Sequence, residues 1–191
     1  MLIRPGVHEF LTKMARFYEL VIFTASLSKY AEPLVEILDV NKYCAYNLYR
    51  QHCTFINGVF VKDLEKVGRD MKHTLIVDNS PTAYLFHPEN AIPILSWYED
   101  LADKELLKLI PFLEKMAFVE DVRKVVKQVV KDNVINFNKA AQVLKAERST
   151  SQQHFSTKAQ GLIQNTRAQA NVQLPMSNIL QDPMARTADN R

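Results

Sequence analysis

This sequence predicts an α/β fold, a mostly parallel sheet with a small antiparallel β insertion, and three features predict it. Glu19 to Thr24 (ELVIFT) and Thr74 to Val77 (TLIV) are short apolar runs rich in β-branched residues, the mark of strands buried on both faces. Segments of helical period lie before and after them. Between them, Asn57-Gly58 sits among Phe55, Val59, Phe60 and Val61, and Asn-Gly is the preferred pair for a two-residue hairpin turn.

The elements follow in order. Within residues 5–17, Val7, Phe10, Leu11, Met14 and Phe17 recur at helical spacing, and Pro5 suits a first turn. ELVIFT is the first strand. Ser26 or Ser28 can cap the next helix, which runs to about Leu38 with Tyr30, Leu34, Ile37 and Leu38 on one face. Pro33 falls in its first turns, where it is tolerated. Tyr46 to Arg50 reads as a strand and Cys53 to Lys62 as the hairpin. Asp63 to Asp70 is a polar link with one helical turn near Leu64–Lys66. After the Thr74–Val77 strand, Ala91 to Leu95 supplies another. Asp103 caps a helix from Lys104 to about Met116, and Glu120 or Asp121 opens a last one to about Phe137. Trp97 and Phe86 read as core, the usual place of large aromatics.

The domain organisation expected is a folded body, residues 1–137, and a polar tail, residues 138–191. In the tail Gln, Asn, Ser, Thr and Ala dominate and Phe155 is the only aromatic. Residues 138–148 can continue as helix; beyond Ser149 too little apolar surface remains to offset chain entropy, and disorder is expected. Charge divides the same way. The body carries 17 Lys/Arg against 18 Asp/Glu, and the tail seven against three, so the net +3 belongs to the tail. A body without clustered Lys/Arg excludes direct nucleic-acid binding as its task. Cys44 and Cys53 have neither CxxC nor zinc-ligand spacing and read as reduced thiols. No run approaches the roughly 20 apolar residues of a membrane span. Arg4, Pro5, His8 and Glu9 also break any signal-peptide core. The expectation is a soluble, intracellular protein of the nucleus or cytoplasm, with a nuclear-envelope setting open to a longer form carrying an anchor.

The candidate chemistry lies at strand carboxyl ends, where open α/β sheets bind ligands. Thr24 ends ELVIFT, Lys62 ends the hairpin, and Asp78-Asn79 end TLIVDN. A hydroxyl, a cation and a carboxylate suited to a hard metal are what a phosphoryl group requires. Each also has a plainer reading: Thr24 and Asp78 as caps, Lys62 as a solvated strand end. Spacing alone does not choose between them.

The segments RPGVHEFL (4–11), LVIFTASLSKYAEPL (20–34), YRQHC (49–53), GVFVKDLEKVGRD (58–70), IVDNSPTAYLFHPENAIPILSWYED (76–100) and LIPFLEKMA (109–117) occur in one order. In that order they resemble the FCP1/SCP-like, or NLI-interacting-factor-like, phosphatase domain of the haloacid dehalogenase superfamily. Its members include the small phosphatases of the RNA polymerase II C-terminal domain and the Dullard-type nuclear-envelope phosphatases. The resemblance covers about two thirds of the chain. It implies Mg²⁺-dependent dephosphorylation of phosphoserine and phosphothreonine in proteins, the polymerase C-terminal domain among them. By the same resemblance Thr24 binds the transferring phosphoryl group and Lys62 neutralises its oxygens. Asp78 and Asn79 are metal-binding, Arg50 contacts substrate phosphate, and Leu27 and Tyr30 belong to an apolar substrate groove.

The family's DxDx[TV] motif, on a central strand ahead of the RPG helix, is not in this sequence, which contains no DxD. That motif supplies the nucleophile and the general acid/base. The chain as given is therefore expected to be an inactive fragment with weak or absent Mg²⁺ binding, its first central strand missing. A non-catalytic scaffold, of the import-translocase type found in the same superfamily, is the alternative.

Overall fold

The computed structural model describes residues 2–147 and residue 149. The expected disorder beyond Ser149 lies outside them. The described body is mixed α/β. In order come α1 (Val7–Met14), β1 (Leu20–Phe23), α2 (Ser28–Leu38), β2 (Cys44–Leu48), β3 (Thr54–Ile56), β4 (Val59–Val61), β5 (Ile76–Asp78), β6 (Ala91–Pro93), α3 (Glu105–Met116), α4 (Val122–Val129), β7 (Val130–Lys131) and β8 (Val134–Ile135).

The strands form four separate pairs. β1 runs parallel to β2, and β5 runs parallel to β6. The β3–β4 and β7–β8 pairs are antiparallel hairpins. Asn57 and Gly58, with φ of 50° and 82°, form the two-residue turn that right-twisted strands favour. No ladder joins β1 to β5. A cleft of about 450 Å³ lies between them instead, lined by Leu20–Phe23 on one side and Thr74–Val77 on the other.

The main core is built on α3 and α4. Leu109, Ile110, Leu113 and Met116 of α3 meet Val122, Val125, Val126 and Val129 of α4, with Met14 and Ile92 among them. These valines recur at three- and four-residue steps, which places one apolar stripe on α4. Asp121 caps that helix by accepting from the Arg123 N–H at 3.1 Å. Arg4 fastens the entry to α1. Its guanidinium grips both carboxylate oxygens of Asp103 at 2.8 Å and donates to the Leu95 carbonyl at 2.8 Å.

Three expectations are corrected here. The last helix does not run to Phe137; it ends at Val129 and the chain makes the β7–β8 hairpin, with Asp132 and Asn133 at φ of 51° and 56°. β-branched residues on both sides of Asp-Asn favour that turn over further helix. The chain then becomes helical over residues 137–147, close to the 138–148 that the sequence allows, and buries Ala140 and Leu144 in the main core. Phe86 is not core: it is 38 % exposed, in the turn before Pro88. Trp97 is half-buried, with its indole N–H donating to the Asp100 carbonyl.

Gly6 stands at the N-terminus of α1 with φ of 79°, and a Cβ there would lie 2.8 Å from Cγ of Leu107. Gly6→Ala therefore faces both a left-handed backbone and a collision with α3. A loss of about 1–3 kcal/mol is expected in a urea melt; an unchanged midpoint would show that α1 enters differently.

Several carboxylates make the body acid-sensitive. Arg123 holds the Asp121 carboxyl down at about 2, against an ordinary 3.8. Arg4 holds that of Asp103 below its usual value. A depressed folded-state pKa means the stabilisation is complete above about pH 4 and drains away as pH falls towards 2. Arg123→Gln should flatten part of that decline in an acid titration followed by circular dichroism. An unaltered slope would remove Asp121 from the account.

Candidate functional site

The polar residues at the strand ends converge on Lys62. Val61 of β4 is fully buried, and the strand delivers the next residue, Lys62, to the carboxyl ends of both β1 and β5. The Lys62 backbone N–H donates to the Ala83 carbonyl at 2.7 Å, which fixes the hairpin against the turn after β5. Its ammonium reaches Oδ2 of Asp78, the last residue of β5, at 2.5 Å. The same nitrogen lies 5.8 Å from the ring centroid of Phe23, the last residue of β1. Both side chains are largely withdrawn from water, at 13 % exposure for Lys62 and 9 % for Asp78. The other oxygen of Asp78 accepts the Ser80 N–H at 2.8 Å, closing the turn that β5 enters.

Thr24 follows Phe23. Its N–H donates to the Leu48 carbonyl, extending the β1–β2 ladder by one bond, and its hydroxyl accepts from the Ser26 N–H at 3.1 Å. That bond closes the turn ahead of α2 but does not cap the helix, whose N-cap position is Leu27 with no side-chain cap bond, so neither Thr24 nor the expected Ser26 or Ser28 caps it. Asn79 is exposed, with its amide nitrogen donating to the Ser96 hydroxyl at 2.9 Å. Arg50 lies in a 3-10 turn after β2. Its Nε donates to the Ala25 carbonyl at 2.6 Å, and its guanidinium stacks 5.0 Å from the Phe60 ring. That bond brings Arg50 against the residue next to Thr24. Burial pushes the Cys53 thiol pKa up, while Lys62 and Arg50 both pull it back, so the two cations share one neighbourhood.

Leu27 and Tyr30 open α2 and are exposed, Tyr30 at 64 %. Lys29 reaches over the Tyr30 ring at 4.8 Å. Leu34 and Ile37 are exposed on the same helix, so the apolar face shared with Tyr30 is in large part a surface.

One member of the cluster was invisible to spacing. His87, nearly buried, sets Nε2 3.1 Å from Oδ1 of Asp63, the residue after Lys62. Asp63 also accepts the Glu65 N–H. Burial pushes the Asp63 carboxyl up, but His87, the Glu65 N–H and Lys66 together hold it below its usual value. Nothing in a 24-residue separation signals this pair; only the fold brings it together.

Among the described residues no group of three or more His, Cys, Asp or Glu is arranged to hold a metal ion. Asp78 offers one carboxylate with both oxygens engaged, one by Lys62 and one by Ser80. This donor set does not by itself fit Mg²⁺, which demands near-octahedral oxygen coordination.

The profile of the NLI interacting factor-like phosphatases matches residues 1–123, more than half of the chain. The chain belongs to this family. Its relatives include a probable C-terminal domain small phosphatase of Dictyostelium discoideum, 54 % identical over 120 residues, covering 63 % of this chain and 39 % of the relative. The human carboxy-terminal domain RNA polymerase II polypeptide A small phosphatase 2 is 52 % identical over 119 residues, covering 62 % and 44 %. The chain thus spans less than half the length of either relative. A solved structure of Fcp1, an essential RNA polymerase II CTD phosphatase, aligns with a TM-score of 0.45 at 17 % identity, covering 78 % of this chain and 46 % of that one. The matched stretch of this NLI interacting factor-like phosphatase chain contains Thr24, Arg50, Lys62, Asp78 and Asn79.

Proposed function

We propose that this chain carries the phosphate-binding part of a protein phosphatase site acting on phosphoserine and phosphothreonine. The observation that supports this most is the meeting of Lys62 with the ends of β1 and β5, beside Thr24 and within the reach of Arg50. A phosphoryl group placed there would take the Lys62 ammonium and the Thr24 hydroxyl as donors, with Arg50 turning from the Ala25 carbonyl to an outer oxygen. Preorganised donors of this kind stabilise phosphoryl charge in a site shielded from water. Leu27 and Tyr30, exposed at the start of α2, would hold apolar residues flanking the phosphorylated one. The polymerase C-terminal domain named in the relatives' descriptions is the proposed substrate class.

The family's Mg²⁺ would require Asp78 to release Lys62, with Asn79 beside it, and carboxylates beyond those Asp78 can give. The ion's contribution would be offset of phosphate charge. Asp78 is held by Lys62 and Ser80, and Asp63 by His87 and the Glu65 N–H, which leaves no aspartate in the cluster poised to attack phosphorus. Residues 1–191 alone are therefore expected to bind phosphate without turning it over.

The test compares a phosphoserine peptide, its sequence taken from the polymerase C-terminal repeat, with the unphosphorylated form by calorimetry. The phosphorylated peptide should bind at least tenfold tighter, and Lys62→Ala and Arg50→Ala should each erase the preference. Equal affinity for both peptides overturns the phosphate site and favours a non-catalytic scaffold. In parallel, para-nitrophenyl phosphate turnover should not exceed that of Lys62→Ala. Turnover abolished by Lys62→Ala or Asp78→Asn would show that the chain is catalytic as it stands.

A further inference from the structure

Arg50 is a cation without a counter-ion. None of the ion pairs among the described residues involves it. The charge beside it is of its own sign, since Lys62 and Arg50 both act on the Cys53 thiol. Left to itself, a side chain this long spreads over many rotamers, and fixing it costs entropy. Here three contacts hold it. Its backbone N–H donates to the Ser26 carbonyl at 3.0 Å and its Nε to the Ala25 carbonyl at 2.6 Å, both in the turn that follows Thr24. The third contact is Phe60, whose ring centroid lies 5.0 Å from Cζ of the guanidinium.

The β3–β4 hairpin puts that ring in place. Successive strand residues point to opposite faces, so the fully buried Val61 takes the inner face, and Phe60 and Lys62 share the other. Phe55 is the cross-strand partner of Phe60, and their rings pack at 4.9 Å with planes 46° apart. A ring face attracts a guanidinium through its quadrupole and takes none of its N–H groups. A carboxylate in the same place would engage those groups and compete with phosphate for them. On the ring, the guanidinium can swing in its own plane from the Ala25 carbonyl towards a phosphoryl oxygen.

We propose that Phe60 is the positioning residue for Arg50: its ring holds the guanidinium on the Lys62 side of the hairpin, with the N–H edge free for the phosphate of a phosphoserine peptide. This inference rests on the phosphate site proposed above. It assigns to Phe60 more than the filling of a hairpin face. A residue that only fills space acts through its shape, whereas one that holds a cation acts through the charge on its ring face. The two roles therefore separate when the ring's charge is altered and its shape is kept.

The experiment replaces Phe60 of the full chain by para-fluorophenylalanine and then by its trifluorinated analogue, which drain charge from the ring face and keep its outline. Calorimetry reads the ratio of affinities for the phosphoserine peptide of the polymerase C-terminal repeat and for its unphosphorylated form. The ratio should fall stepwise, by about threefold in all, the size of an exposed cation–π contact. Phe60→Tyr should keep the ratio, and Phe60→Leu should lower it at least as far as the trifluorinated ring. The same fluorinated residues at Phe55, which does not touch the guanidinium, should leave it unchanged. A flat series at Phe60, or an equal fall at Phe55, overturns the role of the ring and leaves the phosphate site standing. Equal binding of both peptides by the unsubstituted chain overturns the phosphate site, and this inference with it.

Discussion

Asp78→Ala should destabilise the protein by about 3–5 kcal/mol, the loss typical of breaking a buried ion pair from one side. Lys62 and Asp78 are both nearly out of water, and the alternative contact left to the ammonium is the face of Phe23. Lys62→Met should cost less than Asp78→Ala. It leaves a carboxylate that still accepts from the Ser80 N–H. The double variant Lys62→Met/Asp78→Asn removes both charges and keeps an acceptor for Ser80, and it should recover most of the Asp78→Ala loss. A double-mutant cycle in urea melts, run alongside Glu19→Gln, measures this. Glu19 and Arg69 are exposed, and disrupting their pair should change little. If Asp78→Ala behaves like Glu19→Gln, water reaches the Lys62 pair and the cluster is more open than its geometry indicates.

The legible parts of the fold were those set by short-range physics. ELVIFT, the Asn57-Gly58 hairpin and the helices around Val7 and Leu109 were readable because each depends on period or on one turn. The β7–β8 hairpin was misread as helix, although Val130, Val134 and Ile135 around Asp132-Asn133 hold a strand signal. The strong helical stripe just before it, Val122 to Val129, masked the change of period. Residues 137–147 form the helix that their sequence allowed, and Ala140 and Leu144 at a four-residue step are the positions its buried face uses.

At the site, spacing showed three polar strand ends and could not show which would meet. Lys62 meets Asp78 because the hairpin folds against the turn at Ala83, a contact made by backbone and carrying no side-chain signature. The Thr24 hydroxyl and the Asp78 carboxylate each close a local turn, by accepting from the Ser26 and Ser80 N–H groups, while the N-cap of α2 is Leu27. Period placed Tyr30 and Leu34 on one helical face. The structure leaves that face in solvent, and period alone cannot say what, if anything, covers a stripe.

The unpaired edges of β1 and β5 carry the largest consequence for the whole molecule. Two strands that would each have two neighbours inside a sheet have one, and the cleft between them is lined by Leu20, Val21, Ile22, Leu75, Ile76 and Val77. A buried backbone donor or acceptor without a partner costs roughly 1–3 kcal/mol, against a total stability of about 5–15 kcal/mol for a domain. Water can enter a 450 Å³ cleft and relieve some of those groups, but it then wets apolar side chains that the fold would otherwise bury. Either way the edges draw heavily on a small reserve, and α3 and α4 have to supply it. Residues 1–191 alone should therefore melt below the range of about 45–65 °C usual for mesophile domains, and should associate through the exposed edges as concentration rises. Scanning calorimetry with sedimentation at two concentrations checks both. Amides of β1 and β5 should exchange far faster than those of α3 and α4, which share the main core. A monomer with one cooperative transition inside the ordinary range, and with β1 as protected as α4, would mean that the two half-sheets close up in solution and leave no cleft.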